Sequence, residues 1–387
     1  AVASAAAAAC AAVVAAAERC GVPGGSTTAA GRMTFDLQRA AVLAAQAVGV
    51  AFNRAPGTGP DRAAFDAVLG RTLRTIVERA GISIGGQLPG GVALAGSGAR
   101  GADCAPPSAT TPASLLRERG VLLLVWIGKG LAMRGHPAAQ TCVAALMDVL
   151  VACATAPGCD TCSSTATCAA AHLVTLAGQG LGSIVADAAP RHPFSREAGT
   201  TALGLYKQRL FAFVQARLAA VTDTAAAVPL LLSLCSMATH LPQALLLAET
   251  ERVVPIVVRT LAVIRGGRAS GESPLFSELR DAVASSALTS LYMLIHAAAP
   301  AVAPHLPSVV PVLLALAHKR GGAKPLVRAT AIDCLRGCVK LPYHQLHPVR
   351  AAVVAGLLPV LDDPKRAVRR RAAVCRNEWI TLVPGAK

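Results

Sequence analysis

A chain of 387 residues that is 53% hydrophobic has ample material for a core, and aromatics at 3% leave alanine, valine and leucine to build it. That composition suits closely packed helices and disfavours a sheet sandwich. The net charge of +16, from 37 basic and 21 acidic residues, points to acidic protein surfaces or nucleic acid without choosing between them.

The chain begins at Ala1 without a methionine, so a fragment or processed form is expected. Residues 1–84 read as alanine-rich, degenerate helical repeats with a Gly/Pro linker at 21–31. Within them Thr34–Phe52 and Asp61–Ala80 are predicted helices, the second carrying Phe65, Val68, Leu69, Leu73, Ile76 and Val77 on one face. Residues 85–113 collect Gly, Pro, Ala and Ser with no apolar period and read as a low-complexity insertion. Its Gly96-Ser97-Gly98-Ala99-Arg100-Gly101 satisfies G-x-G-x-x-G but lacks the flanking strand and helix that a dinucleotide site needs.

Residues 114–387 read as one C-terminal array of helix pairs, interrupted at 155–168 by a Cys-rich insertion. Ser114 is placed to cap a helix running to Arg134, and His136-Pro137 turns the chain into Ala138–Ala154. Further on, Leu203, Tyr206, Leu210, Phe213, Val214, Arg217 and Val221 keep helical spacing with only Arg217 polar. A helix is expected behind Ser273-Pro274, and another over Val349–Leu361. No membrane segment or export signal is expected. Ala1–Ala17 is mostly alanine with no basic residues before it, and 297–317 is broken by four prolines and His305.

The closing residues carry an internal repeat. The core Val-Arg-x-x-Ala occurs at Val327 and again at Val368, forty-one positions on, in the range of a two-helix solenoid repeat. Leu279-Arg280 reads as a third, lengthened copy. Asp363-Pro364 is expected to end one helix and start the next, the carboxylate accepting an orphan N–H and proline taking the first helical position. Between Lys319 and Arg376 stand thirteen Lys or Arg against Asp333, Asp362 and Asp363, so ten of the sixteen excess charges sit here. The fold class is therefore all-α, an α-solenoid of antiparallel helix pairs.

Several patterns invite chemistry. Cys153, Cys159, Cys162 and Cys168 form C-x5-C-x2-C-x5-C with His172 nearby, and thiolates hold zinc or iron–sulfur clusters. The set lacks a second C-x-x-C, so these four stand as metal candidates only, and no cofactor or metal is expected. Cys142, Cys235, Cys334, Cys338 and Cys375 sit in apolar helical patterns, as reduced thiols of an intracellular protein do. His344 and His347 fit an inter-helix turn better than a metal site. No Ser/His/Asp order or carboxylate pair stands out, so no enzyme is expected. On the last helix Lys365, Arg366, Arg369, Arg370, Arg376 and Asn377 fall opposite Val368, Ala372, Cys375 and Trp379, a solvated face or a partner surface. With Arg369 set aside for the structural role given below, Lys365, Arg366, Arg370 and Arg376 are the partner-binding candidates. Direct nucleic-acid binding by this face is the alternative. The lack of interleaved exposed aromatics disfavours it for single strands.

The period, the Asp-x-x-x-x-Val-Arg-x-x-Ala form from Asp363 to Ala372 and the helix pairs resemble HEAT repeats, an ARM-like superhelix. Three tracts narrow the resemblance: Leu122 to Pro137 (LLLVWIGKGLAMRGHP), Tyr206 to Phe211 (YKQRLF), and Leu361 to Arg369 (LDDPKRAVR) running on to Asn377-Glu378-Trp379. Together these resemble the C-terminal region of the Mms-nineteen family, HEAT-repeat adaptors of cytosolic iron–sulfur assembly. The match covers about Ser114 to Trp379. The resemblance implies a non-catalytic scaffold of the targeting complex, acting in cytoplasm and nucleus. Its partners would be a WD-repeat propeller subunit, a small reactive-cysteine subunit and apo iron–sulfur clients of DNA repair, replication and transcription, such as the transcription factor IIH helicase. It also implies that Arg328, Asp363 and Arg369 belong to the structural ladder of a HEAT array, in which arginines pair with acids of neighbouring repeats. A generic HEAT-repeat interaction scaffold remains the broader alternative.

Overall fold

In the computed structural model the described residues are 27–54, 61–82, 112–155, 164–186, 200–219, 224–241, 243–266, 274–319 and 323–382, with single positions 8 and 89. Among them every regular element is a helix. The elements are α1 (Thr27–Arg54), α2 (Asp61–Ala80), α3 (Pro112–Met133), α4 (Ala138–Thr155), α5 (Ser164–Val185), α6 (Thr200–Ala219) and α7 (Thr224–Ala238). There follow α8 (Gln243–Ala248), α9 (Thr250–Gly266), α10 (Pro274–Ala297), α11 (Ala299–Val302), α12 (Leu306–Ala317), α13 (Pro325–Cys338), α14 (Tyr343–Leu357) and α15 (Arg366–Ile380). Packing divides the chain into two compact units, Ala1–His240 and Leu241–Lys387. The division falls within the stretch that reads as one array in sequence.

In the first unit α1, α3, α5 and α7 lie side by side as one layer, each against the next. Helices α2, α4 and α6 cover them, α2 on α3, α4 on α3, α5 and α7, and α6 on α7. Alternate helices side by side, with consecutive helices in opposite layers, make a stacked helix-pair array. Helix α3 is its centre. Leu123, Leu124, Ile127 and Leu131 are fully buried, and so is nearly everything between Arg119 and Met133. Small residues let the layer close. A Cβ on Gly130 would stand 2.2 Å from the Gly49 carbonyl oxygen of α1, and one on Gly180 would stand 2.3 Å from Val125 of α3. Arg217, polar in an apolar series, pairs with Asp148 of α4.

The second unit repeats the plan. Helices α10, α13 and α15 form one layer, and α9, α12 and α14 the other. The three copies of the Val-Arg pattern therefore sit on three stacked helices of one layer. Val327, Ala331, Val368 and Ala372 are buried in the packing between the helices. Residues 299–317 are apolar enough, with mean hydropathy 1.6, to cross a membrane by length and composition. Here they break into α11, a 3-10 turn (Ala303–His305) and α12, and Leu306, Val309, Val310 and Leu313 are buried in the unit's own core.

Several helix ends differ from the sequence expectations. Helix α3 starts at Pro112, which puts Ser114 inside its first turn rather than at its cap. Helix α1 starts at Thr27, inside the 21–31 stretch expected to be linker, because Thr-Thr-Ala-Ala tolerates helix and only Gly31 costs about 1 kcal/mol. Helix α5 likewise takes up positions 164–168 of the expected Cys-rich insertion, while 156–163 lie outside the described residues, as do the glycine-rich motif and all of 85–111 but position 89. Helix α14 begins at Tyr343, not Val349, with Pro348 inside it and the chain tightening to 3-10 over Leu358–Asp362. Pro348 is the sixth residue of this helix, past its first turn, so it forfeits one intrahelical bond, to the His344 carbonyl. Helix α15 starts at Arg366, two residues after Pro364, because the Asp363 carboxylate accepts the Lys365 N–H at 2.7 Å and holds 363–365 as a turn.

Candidate functional site

Alanine and arginine, both strong helix formers, dominate α15. Its buried stripe is Val368, Ala372, Cys375 and Trp379, and the Trp379 Nε1–H donates to the Leu335 carbonyl oxygen of α13 at 3.0 Å. This anchors the helix by an indole whose ring is fully buried and whose one donor is satisfied.

The cations around that stripe divide by what they touch. Arg328 of α13 reaches across to Asp363 with two parallel bonds, Nε–Oδ2 at 2.8 Å and Nη2–Oδ1 at 3.1 Å, while its Nη1 donates to the Ala323 carbonyl oxygen. Both side chains are buried, at 7% and 1% exposure. Burial pushes the Asp363 carboxyl up, but the Arg328 bonds and the Lys365 N–H together outweigh it and hold the group below its ordinary value. Arg369, the equivalent of Arg328 one repeat on, is exposed and donates to the Asp363 carbonyl oxygen at 2.6 Å. It has no carboxylate partner among the described residues. Arg376 is half-buried and donates to the Val354 carbonyl oxygen of α14 at 3.2 Å, a bond within the array. Lys365, Arg366 and Arg370 are exposed.

On its other flank α15 is laced to α13 by Arg371–Asp333 at 3.2 Å and Arg336–Glu378 at 2.9 Å. Arg350 of α14, which the sequence does not single out, donates to the Trp379 and Ile380 carbonyl oxygens and closes the end of α15. Its spacing of seven from Tyr343, whose hydroxyl it also meets, is the one signal that could have found it.

The other candidates separate. Cys159 and Cys162 lie outside the described residues. Cys168 is on α5, and Cys153 is half-buried near the end of α4. His172 is drawn toward Glu118 of α3, 3.9 Å away, and the hydrogen bond and charge of that carboxylate raise its pKa. Among the described residues no three His, Cys, Asp or Glu side chains converge on a metal-sized space. Cys142, Cys338 and Cys375 are buried thiols pushed up to about 12 by burial, and Cys334 is raised well above its ordinary value. Such thiols stay protonated and inert. His344 and His347 are exposed on the first turns of α14, His347 against the Tyr343 ring at 5.5 Å.

The two tracts of the first unit build structure. Lys129, only 3% exposed, donates to the Ser183 and Ala186 carbonyl oxygens at the end of α5, at 2.7 and 2.6 Å. Arg134 donates to the Phe52 carbonyl oxygen near the end of α1 at 2.8 Å and lies over the Phe65 ring at 4.6 Å. The Tyr206 hydroxyl donates to the His136 carbonyl oxygen at 2.7 Å, and Lys207 reaches the His240 carbonyl oxygen at 3.4 Å.

Residues 105–338 match the family model described as RNAPII transcription regulator C-terminal, MMS19_C, which takes in most of these helices. The chain belongs to the MMS19 family. It is 32% identical over 153 residues to the MMS19 nucleotide excision repair protein homolog of Dictyostelium discoideum, covering 39% of this chain and 13% of that protein. With the Arabidopsis thaliana homolog it shares 28% over 275 residues, 70% of this chain and 22% of that protein. The DNA repair/transcription protein mms19 of Schizosaccharomyces pombe is 26% identical over 179 residues, 45% of this chain and 16% of that protein. The matched stretches thus span 13% to 22% of the length of these relatives. Among solved structures, Kap121p aligns over 94% of this chain and 37% of that one, with a TM-score of 0.32 and 9% identity. The MMS19 family model ends at Cys338, so α14 and α15 lie beyond it.

Proposed function

We propose that this MMS19 segment is a non-catalytic docking module in DNA repair and transcription, part of an adaptor of the cytosolic iron–sulfur assembly targeting complex. Its cargo is an iron–sulfur cluster passed to apo-proteins such as the transcription factor IIH helicase. Its direct partners are the WD-repeat propeller subunit and the small reactive-cysteine subunit, and it works in cytoplasm and nucleus. The observation that carries this reading is the combination of family membership with a stacked-helix scaffold. The cations of that scaffold separate into structural ones and an exposed set at Lys365, Arg366, Arg369 and Arg370. A stacked array offers several recognition sites on one chain and raises the effective concentration of factor and client.

The test is a pull-down of the two purified subunits by the full chain and by its Lys365→Glu/Arg366→Glu/Arg370→Glu variant. Loss of capture with an unchanged circular dichroism spectrum supports the reading, and capture of neither subunit by the unaltered chain rejects it. The exposed cations also fit phosphate. A gel shift with duplex DNA at about 50 mM salt checks this second reading, because phosphate contacts hold best at low salt.

A further inference from the structure

We infer that the side of α14 and α15 turned away from α12 and α13 is a preformed seat for a partner helix that presents a carboxylate to Arg369. The inference rests on the adaptor reading above and supplies the chemistry of one contact.

The second unit contains one complete step of its ladder to compare with. In that step Arg328 is first pinned backward, Nη1 on the Ala323 carbonyl at the entry to its own helix. The pinning leaves the Nε/Nη2 edge pointing along the array, where the next repeat delivers the Asp363 carboxylate in bidentate fashion. Arg369 stands forty-one positions later and makes a comparable backward bond, one residue longer in reach, from Nη1 to the Asp363 carbonyl at the entry to α15. Its guanidinium is thus already held, which lowers the entropy lost when a partner arrives. Among the described residues no carboxylate meets it.

The surroundings of Arg369 suit a helix rather than an extended phosphate track. At about 100° per residue, Arg366, Arg369, Ala373 and Ile380 share the flank of α15 roughly opposite Arg371 and Glu378, the residues that reach α13. On α14, Ala351 lies roughly opposite Gly356, which faces Leu314 of α12, and Leu358 follows it on the same side. Leu358 is 54% and Ile380 41% exposed, large apolar side chains left about half open to solvent. Ala351 and Ala373, both exposed, leave room for a close approach between them. The occupant is therefore an amphipathic helix with an apolar ridge for Leu358 and Ile380 and an Asp or Glu for Arg369. Arg366 and Arg370 add a field that draws it in. Nucleic acid fits less well, because alanine and aliphatic side chains interrupt the cations and no exposed aromatic lies on this flank.

The experiment uses the full 387-residue chain, immobilised, with the purified propeller subunit, the purified reactive-cysteine subunit and a short DNA duplex as separate probes. The variants are Arg369→Glu, Ile380→Glu and, as a control of equal charge change on an exposed lysine beyond this flank, Lys340→Glu. Arg369→Glu is expected to weaken one subunit about tenfold or more, with Ile380→Glu also weaker and Lys340→Glu within about twofold. An Asp or Glu to Lys change on that subunit should then restore binding to Arg369→Glu. Should Arg369→Glu lose its helical spectrum, Arg369→Gln and Ile380→Glu carry the comparison. If the unaltered chain binds neither subunit, the adaptor reading falls and takes this inference with it. If it binds and Arg369→Glu binds equally well, or no better or worse than Lys340→Glu, only the seat is overturned. Loss of DNA binding alone in Arg369→Glu would assign the flank to nucleic acid and overturn the seat as well.

Discussion

At the scale of single residues the decisive pair is Arg328 and Asp363. Neither is accessible, so each depends on the other for compensation of its charge. Replacing Asp363 by Ala leaves the Arg328 guanidinium buried with only a carbonyl, and the expected loss is about 3–5 kcal/mol, read by urea unfolding. The pH dependence has a defined sign. The folded carboxyl lies below its ordinary value, so the unfolded state binds the proton more readily. The stabilisation is present above an unfolded pKa of about 3.9 and is lost as pH falls through the folded value. The gap between the unaltered protein and Asp363→Ala should therefore be wide at neutral pH and narrow in acid. A gap that stays constant would assign the loss to packing.

Among elements, one device recurs: a cation from one helix donates to the last carbonyl groups of another. Lys129 does this for α5, Lys207 for the chain just past α7, Arg134 for α1, Arg350 for α15 and Arg376 for α14. Helix C-termini leave acceptors unsatisfied and carry partial negative charge, so a buried lysine there is compensated on both counts. Lys129→Met should cost about 1–3 kcal/mol by leaving those acceptors unpaired, with amide exchange rising first at the end of α5. The α3–α4 turn adds a pH-sensitive contact. Burial depresses the His136 pKa against the opposing pull of Asp66, and Nδ1 accepts the Ala138 N–H at 3.2 Å, so the neutral ring is the folded form. Nε2 stands 3.1 Å from the Asp66 carboxylate without hydrogen-bond geometry. With the folded pKa below the unfolded one, stability holds above about pH 6.5 and falls as pH drops through that value. His172 has the opposite sign but is more than half exposed. Between pH 7.5 and 5.5 the melting temperature should drop more in the unaltered protein than in His136→Asn. At this scale the sequence is readable where a start is written in one residue, as at Asp61 and Pro274. It is unreadable where an end depends on a neighbour. The role of Arg376 follows from where α14 lies, and no spacing along α15 carries that position.

Across the whole molecule, some cations among the described residues close helix ends and some pair with acids, while others are exposed, Lys365, Arg366 and Arg370 together and Arg209, Arg259 and Lys340 apart from them. Periodicity and the repeat at forty-one positions made the all-α, stacked-pair architecture legible, while the tracts behind the family resemblance reveal only in three dimensions that they are framework. The division into two compact units has a consequence for unfolding, because a stacked array transmits instability only through neighbouring repeats. Trp379 is the test position. It is fully buried, and its indole bonds α15 to α13. Trp379→Ala should cost about 3–5 kcal/mol, the range for deleting a large aromatic from a core. The loss should appear as faster amide exchange in α13, α14 and α15, with exchange in α1 to α7 unchanged. Each unit has its own buried core, Leu123, Ile127 and Leu131 in the first and Ile332, Leu335 and Leu357 in the second, so neither needs the other to remove its apolar surface from water. If protection in α3 and α5 collapses together with that in α15, the units fold as one cooperative body, and their separation in packing has no counterpart in stability.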